Sequence, residues 1–203
     1  MSLKYGEIIK QMSLEEKALM MSGKNTWETV DFEKYGIPSM AMSDGPHGLR
    51  RQAGAGDHLG LNASLPATCF PTAATIANSW DEKLGEEIGT ALAEEAVTMD
   101  VNVILGPGLN IKRSPLCGRN FEYYSEDSLL SAEMAKGEVE GAVESGMYPF
   151  IKHFALNEQE INRNAFLTTW TTEQAMREIY LKPFEEAVKS YPDGKIAVMT
   201  SYN

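Results

Sequence analysis

The sequence predicts an α/β fold, a parallel sheet covered by helices of the TIM-like (β/α)8 barrel type, with about five βα units in its 203 residues. Three observations predict it. Short apolar runs alternate with amphipathic stretches of helical period. The runs read as strands buried on both faces, as in parallel sheets. Four of them lead straight into unusual polar loops: SDGPHGLR, GPGLNIKRSPLCGRNFEYYSED, KHFALNEQEINR and TSYN. An open doubly wound sheet shares the alternation but gathers its ligand at one switch point. Polar loops after nearly every strand describe a ring of contributors and favour a barrel, whose site lies at the carboxyl ends of its strands.

Taken in order, SLEEKALMMSG starts a helix with Ser13 as cap and Glu16 three residues on, ending near Gly23. IPSMAMSDG is a short strand entering a loop. Further strands are expected at 73–77 (AATIA), 101–105 (VNVIL), 149–154 (PFIKHF) and 195–202 (KIAVMTSY). Helices fall between them at 81–99, with Asp81 as cap, at 127–145, and at 172–190, where Pro183 is expected to kink the chain.

Composition excludes some functions. A formal charge of −11 disfavours binding to nucleic acid or to an anionic membrane surface, since both need a concentrated positive face. Cys69 and Cys117 lack CxxC or Cys/His spacing, so neither a disulfide framework nor structural zinc is expected. The N-terminal residues have no apolar signal core, and no run approaches the ~18 residues of a membrane span. The expectation is a cytoplasmic chain with no metal and no cofactor.

The strand-end loops bring together Asp44, Arg50, Arg119, Lys152, His153 and Arg163. A carboxylate among fixed cationic donors suits a polyhydroxylated ligand, because sugar hydroxyls both donate and accept. The same set suits a phosphate or carboxylate. Against phosphate, no P-loop is present, and GPGLNI supplies only half of a GxGxxG fingerprint.

Those four motifs, in this order and at these separations, resemble the N-terminal barrel of glycoside hydrolase family 3, in its β-glucosidase branch, from about residue 8 onward. The resemblance implies retaining hydrolysis of β-glycosidic bonds in carbohydrate catabolism, with a β-glucoside or related small saccharide as substrate. It assigns sugar hydroxyl contacts to Asp44, Arg50, Arg119, the Lys152–His153 pair and Arg163. Met199 corresponds to an apolar lining residue, and Tyr202 to the tyrosine that hydrogen-bonds the nucleophile. KHFALNEQEINRN lacks the Gly-rich Asp-His loop of the N-acetylglucosaminidase branch.

The sequence departs from the family at its chemistry. A retaining pair of carboxyls stands about 5–5.5 Å apart. The family's nucleophilic Asp follows the MTSYN segment and its acid/base Glu comes from a second domain; neither motif occurs here. The expectation is therefore the N-terminal part of a longer enzyme, supplying the sugar clamp and inactive alone, with the rest of the enzyme or a second copy covering the sheet edges. A non-catalytic sugar-binding module, a self-associating half-barrel and a nucleotide- or phosphate-binding α/β protein are the alternatives.

Individual residues also have plainer readings. His153 alone reads as a core histidine, Asp44 as a turn residue before Gly45–Pro46, and Arg119 as a structural partner of Glu122. Arg113 and Arg119 could share Glu122, Glu126 and Asp127. Glu158 and Glu160 are expected to be solvated loop charges or partners of Arg163 rather than an acid/base pair. His47 and His58 read as loop residues. Trp27, Trp80 and Trp170 could form a sugar platform, with Trp80 favoured as packing.

Overall fold

The computed structural model describes residues 3–54, 56, 61–191 and 194–203. Its frame is four parallel strands: β1 (Met42–Ser43), β2 (Val103–Ile104), β3 (Tyr148–Phe154) and β4 (Ala197–Thr200). They pair in the order β1-β2-β3-β4, with Met42 opposite Val103, Val103 opposite Tyr148, and Phe150 opposite Ala197. Chain order and spatial order coincide, as in a barrel wall. A doubly wound sheet reverses direction at its switch point instead.

Local chemistry explains most helix boundaries. α1 spans Gly6–Gln11. α2 (Leu14–Met20) begins with the expected capping box, in which Ser13 Oγ accepts from the Glu16 amide and Glu16 accepts from the Ser13 amide. It ends at Met20, before Gly23.

Residues 73–77 correct the sequence reading, because they form a helix, α3 (Ala73–Ala77), and not a strand. Thr72 caps it by accepting from the Thr75 amide, and Ala73, Ile76 and Ala77 bury one face at helical spacing. Among the described residues the sheet therefore has four strands where five were expected.

α4 (Glu82–Thr98) and α5 (Ser128–Glu144) start at Asp81 and Asp127, whose carboxylates accept from the Lys83 and Leu130 amides. The two helices touch through their backbones. A Cβ on Gly89 would lie 2.1 Å from the Glu138 carbonyl oxygen, and one on Gly141 would lie 2.1 Å from that of Glu86. α6 (Glu173–Ala175) runs into a π-helical turn at Met176–Tyr180, and α7 (Lys182–Ser190) follows. The expected break in the 172–190 helical run falls at a bend at Leu181, between the π-helical turn and α7, two residues before Pro183. The proline sits in the first turn of α7, where its missing N–H has no intrahelical partner to lose.

The main core joins α3, α4, α5 and α7 to β3 through Ile76, Ile88, Val139, Ile151 and Phe184. This packing leaves the carboxyl ends of the strands to carry polar loops. Among the described residues no helix is long and apolar enough to cross a membrane.

Candidate functional site at the strand ends

Three neighbouring strands deliver the polar residues. Asp44 follows β1, the loop after β2 carries Asn110, Arg119, Glu122 and Tyr123, and β3 itself carries Lys152 and His153. The β2 loop stays beside β3 because the Leu109 amide donates to the Lys152 carbonyl (2.7 Å) and the Lys152 amide donates to that of Pro107 (3.1 Å). Asn110 then holds His153 from both sides of its peptide. Its Nδ2 donates to the His153 carbonyl and its Oδ1 accepts from the His153 amide, both at 2.9 Å.

Lys152 is the centre, only 2% exposed. Its ammonium lies 2.9 Å from Asp44 Oδ1 and 3.5 Å from Glu122 Oε2. Arg119 grips the same Glu122 carboxylate bidentately, Nε to Oε1 at 2.8 Å and Nη2 to Oε2 at 2.9 Å. Beyond it, Glu160 lies 3.8 Å from Arg119 Nη1 and 3.1 Å from Arg163 Nη1, and Arg163 sits over the Tyr202 ring at 5.2 Å. Three carboxylates thus alternate with three cations.

Charge balance sets the protonation states. Burial works to raise the Asp44 carboxyl, but the charge and hydrogen bond of Lys152 outweigh it and hold Asp44 below its ordinary value. His153 is pushed down to about 2 by burial first, then by the charges of Arg119, Lys152 and Arg163. It is a neutral imidazole throughout the physiological range.

Of the residues singled out from sequence, Asp44, Arg119, Lys152, His153, Arg163 and Tyr202 fall into this one cluster. Met199 stands opposite Lys152 in the β3–β4 register, half-buried. Arg50 is exposed; its backbone N–H donates to the Asp44 carbonyl at 2.9 Å, and its charge helps hold the Asp44 carboxyl down.

Arg119 does take Glu122 as its partner, and Glu160 does take Arg163. Glu158 differs from expectation: it is 5% exposed, its Oε1 accepts weakly from the Ile111 amide, and burial pushes its carboxyl up to about 7. With its other oxygen sealed and unpartnered, it is no solvated charge. Tyr123 and Asn157 were not legible as site residues, although Tyr123 Oη lies 3.1 Å from His153 Nδ1.

Elsewhere, His47 is half-buried and accepts from the Ala73 amide at 3.4 Å, while His58 lies outside the described residues. Trp80 is 76% exposed and does not pack. Trp27 donates to Gln52. Both cysteines are free, and among the described residues no cluster of His, Cys, Asp or Glu could hold a metal.

Fold and site together define a parallel α/β barrel-type domain with its polar cluster at the carboxyl ends of the strands. Residues 4–203 match the family model for the glycosyl hydrolase family 3 N terminal domain, and the chain belongs to that family. It is 50% identical over its whole length to thermostable beta-glucosidase B of Acetivibrio thermocellus, covering 26% of that protein. It is 46% identical, over 96% of its length, to the exo-alpha-(1->6)-L-arabinopyranosidase of Bifidobacterium longum, again covering 26%. Among solved structures, the Kluyveromyces marxianus beta-glucosidase in complex with glucose superposes with a TM-score of 0.90 at 34% identity, over 100% of this chain and 23% of that one. Beta-glucosidase 3B of Thermotoga neapolitana in complex with alpha-D-glucose gives 0.86 at 39% identity, over 99% and 29%. The chain spans about a quarter of the length of the curated relatives it matches.

Proposed function

We propose that the polypeptide carrying this chain hydrolyses β-glycosidic bonds, with β-glucosides as its main substrates, and that these 203 residues hold the non-reducing sugar. One observation carries the reading. Lys152 is sealed and locks Asp44 from beneath, while a third of the Asp44 side chain stays open to solvent. A carboxylate fixed on one side and open on the other is a preorganised acceptor for sugar hydroxyls. The neutral His153, Arg119 and Arg163 supply donors around it.

On this reading the chain binds and orients, and the nucleophilic Asp and acid/base Glu come from other segments of the polypeptide. Asp44, Lys152 and Arg119 hold the ring so that attack and protonation occur on opposite faces of the anomeric carbon. The isolated 203 residues then release no nitrophenol from an aryl β-glucoside.

The test uses the full polypeptide with nitrophenyl β-D-glucoside. Asp44→Asn keeps the shape but loses a charge-assisted acceptor, so kcat/KM falls about 10- to 150-fold, as such bonds are worth roughly 1.5–3 kcal/mol. An unchanged kcat/KM would remove Asp44 from the sugar site. The arabinopyranosidase relative supports a second reading, in which the preferred substrate is an α-L-arabinopyranoside. Parallel assays with the two nitrophenyl glycosides decide between them.

A further inference from the structure

We infer that Asn157 and Tyr123 act as positioning residues that fix the proton of His153 on Nε2, so that the imidazole always presents an N–H to the ligand side. The inference rests on the sugar-site reading for its purpose, but its structural content does not depend on it.

The chain of hydrogen bonds has only one consistent direction. Glu160 is ion-paired with Arg163 at 3.1 Å, and an ionised carboxylate only accepts. Asn157 lies against it, with Nδ2 2.9 Å from Glu160 Oε1, so the amide must turn its NH2 group that way. This settles an orientation that distances alone leave ambiguous. The same Nδ2 lies 3.1 Å from Tyr123 Oη and gives its second proton there. The phenol oxygen is thereby an acceptor toward Asn157, and its own proton is free for its other neighbour, His153 Nδ1, at 3.1 Å.

Nδ1 therefore accepts, since an Nδ1–H donating to the same oxygen would leave the phenol proton buried without an acceptor. In a neutral imidazole the proton must then sit on Nε2. That nitrogen has no protein partner among the described residues and is not among the sealed, unpartnered polar atoms. Both end states are protected electrostatically. Burial drives the Tyr123 phenol up and keeps its proton on, and burial with three nearby cations keeps His153 neutral. Asn157 is 1% exposed and Tyr123 fully buried, so water cannot reverse the relay.

The same feature sets specificity. Asp44 can only accept and Lys152 can only donate, whereas a histidine could do either. A fixed Nε2–H makes His153 a donor, so a ligand atom beside it must accept. Ethers and fluorine substituents would be tolerated there, and an ammonium group would be refused.

The experiment is long-range proton–nitrogen NMR on the full polypeptide labelled with 15N-histidine, with His153→Gln to identify the resonances. The expected result is a neutral ring protonated on Nε2, unchanged between pH 5.5 and 8, before any sugar is added. An Nδ1–H tautomer, a mixture of tautomers, or an imidazolium titrating in that range would overturn the inference, and the tautomer itself is read on the unsubstituted polypeptide. In Tyr123→Phe the Nδ1 resonance should move to that of a nitrogen without a hydrogen bond, and the inhibition constant for glucose should rise about tenfold. Unmoved Nδ1 would overturn the inference. A correct tautomer whose resonances ignore added glucose would uphold the relay and remove the sugar-site reading.

Discussion

Glu122 and Glu138 are both buried glutamates, and the two regions that bury them have opposite character. Glu122 sits at the strand ends between Lys152 and Arg119, matched in charge and bonded on both oxygens. Glu138 sits on α5 within the core, where its partner is the Tyr124 hydroxyl and burial pushes its carboxyl up to about 7 despite that hydrogen bond. The difference teaches what each region is built for. Surrounding cations hold a carboxylate in place through both its oxygens, as a site for polar ligands requires. A lone phenol only completes the hydrogen bonding of a group that the core tolerates when neutral.

The sharpest way to break this contrast is to remove the shared cation. Lys152→Met fills similar volume but leaves Asp44 without its ion-pair partner and Glu122 with Arg119 alone, a loss that approaches the roughly 3–5 kcal/mol of breaking a fully buried pair. Denaturant unfolding should show that loss together with loss of glucose binding. An equally stable variant would mean that Arg119 and Arg163 suffice to balance the cluster.

The next effect is a pH dependence confined to the other region. Folding raises the Glu138 carboxyl from about 4.5 to about 7, so the folded state binds more protons than the unfolded state between those values. The stabilisation is fully present below about 4.5 and is lost as pH rises through about 7. Glu138→Gln should remove this slope, which is on the order of 3 kcal/mol across the window. The check is unfolding free energy against pH for both proteins. Parallel curves would show that Tyr124 stabilises the ionised form as well as cations do.

Smaller still is the cost of separating the helices that frame Glu138. Gly89→Ala would drive a methyl onto the Glu138 carbonyl, and overpacking of this kind costs about 1–3 kcal/mol. Thermal midpoints should fall while glucose affinity holds.

How much of this could be read beforehand follows the range of the interactions. The capping box at Ser13 and Glu16 and the caps Asp81 and Asp127 are local, and each stands where the sequence places it. Asp44 after β1 and Lys152 within β3 were legible because an apolar run meets charged residues at each. AATIA misled because five small or β-branched residues are too few to show a period, and Thr72 decided the matter as a cap. Glu158 looked solvated because it lies among other charges in NEQE, and only the covering loop at Ile111 buries it. Tyr123 and Asn157 carry no sequence signal of their role. Their partnership joins the loop after β2 to the segment after β3, and that juxtaposition exists only in the fold.

Arg163 gives the smallest effect on stability and separates function from stability most cleanly. It lies at the rim of the cluster, its side chain 29% exposed, paired with Glu160 and stacked over Tyr202. Solvent screens such a pair, so Arg163→Ala should cost under about 1 kcal/mol of stability. Glu160 keeps Arg119 nearby and Asn157 as a hydrogen-bond donor, which limits the damage to the relay behind it. On the proposed reading sugar binding has no such reserve, because a lost charged donor is worth roughly 1.5–3 kcal/mol to a ligand hydroxyl. The expected pattern is a nearly unchanged thermal midpoint with a glucose inhibition constant raised at least tenfold. If the thermal midpoint fell as the inhibition constant rose, Arg163 would belong with Lys152 as a structural cation, and the ligand-facing edge of the cluster would have to be drawn closer to Asp44.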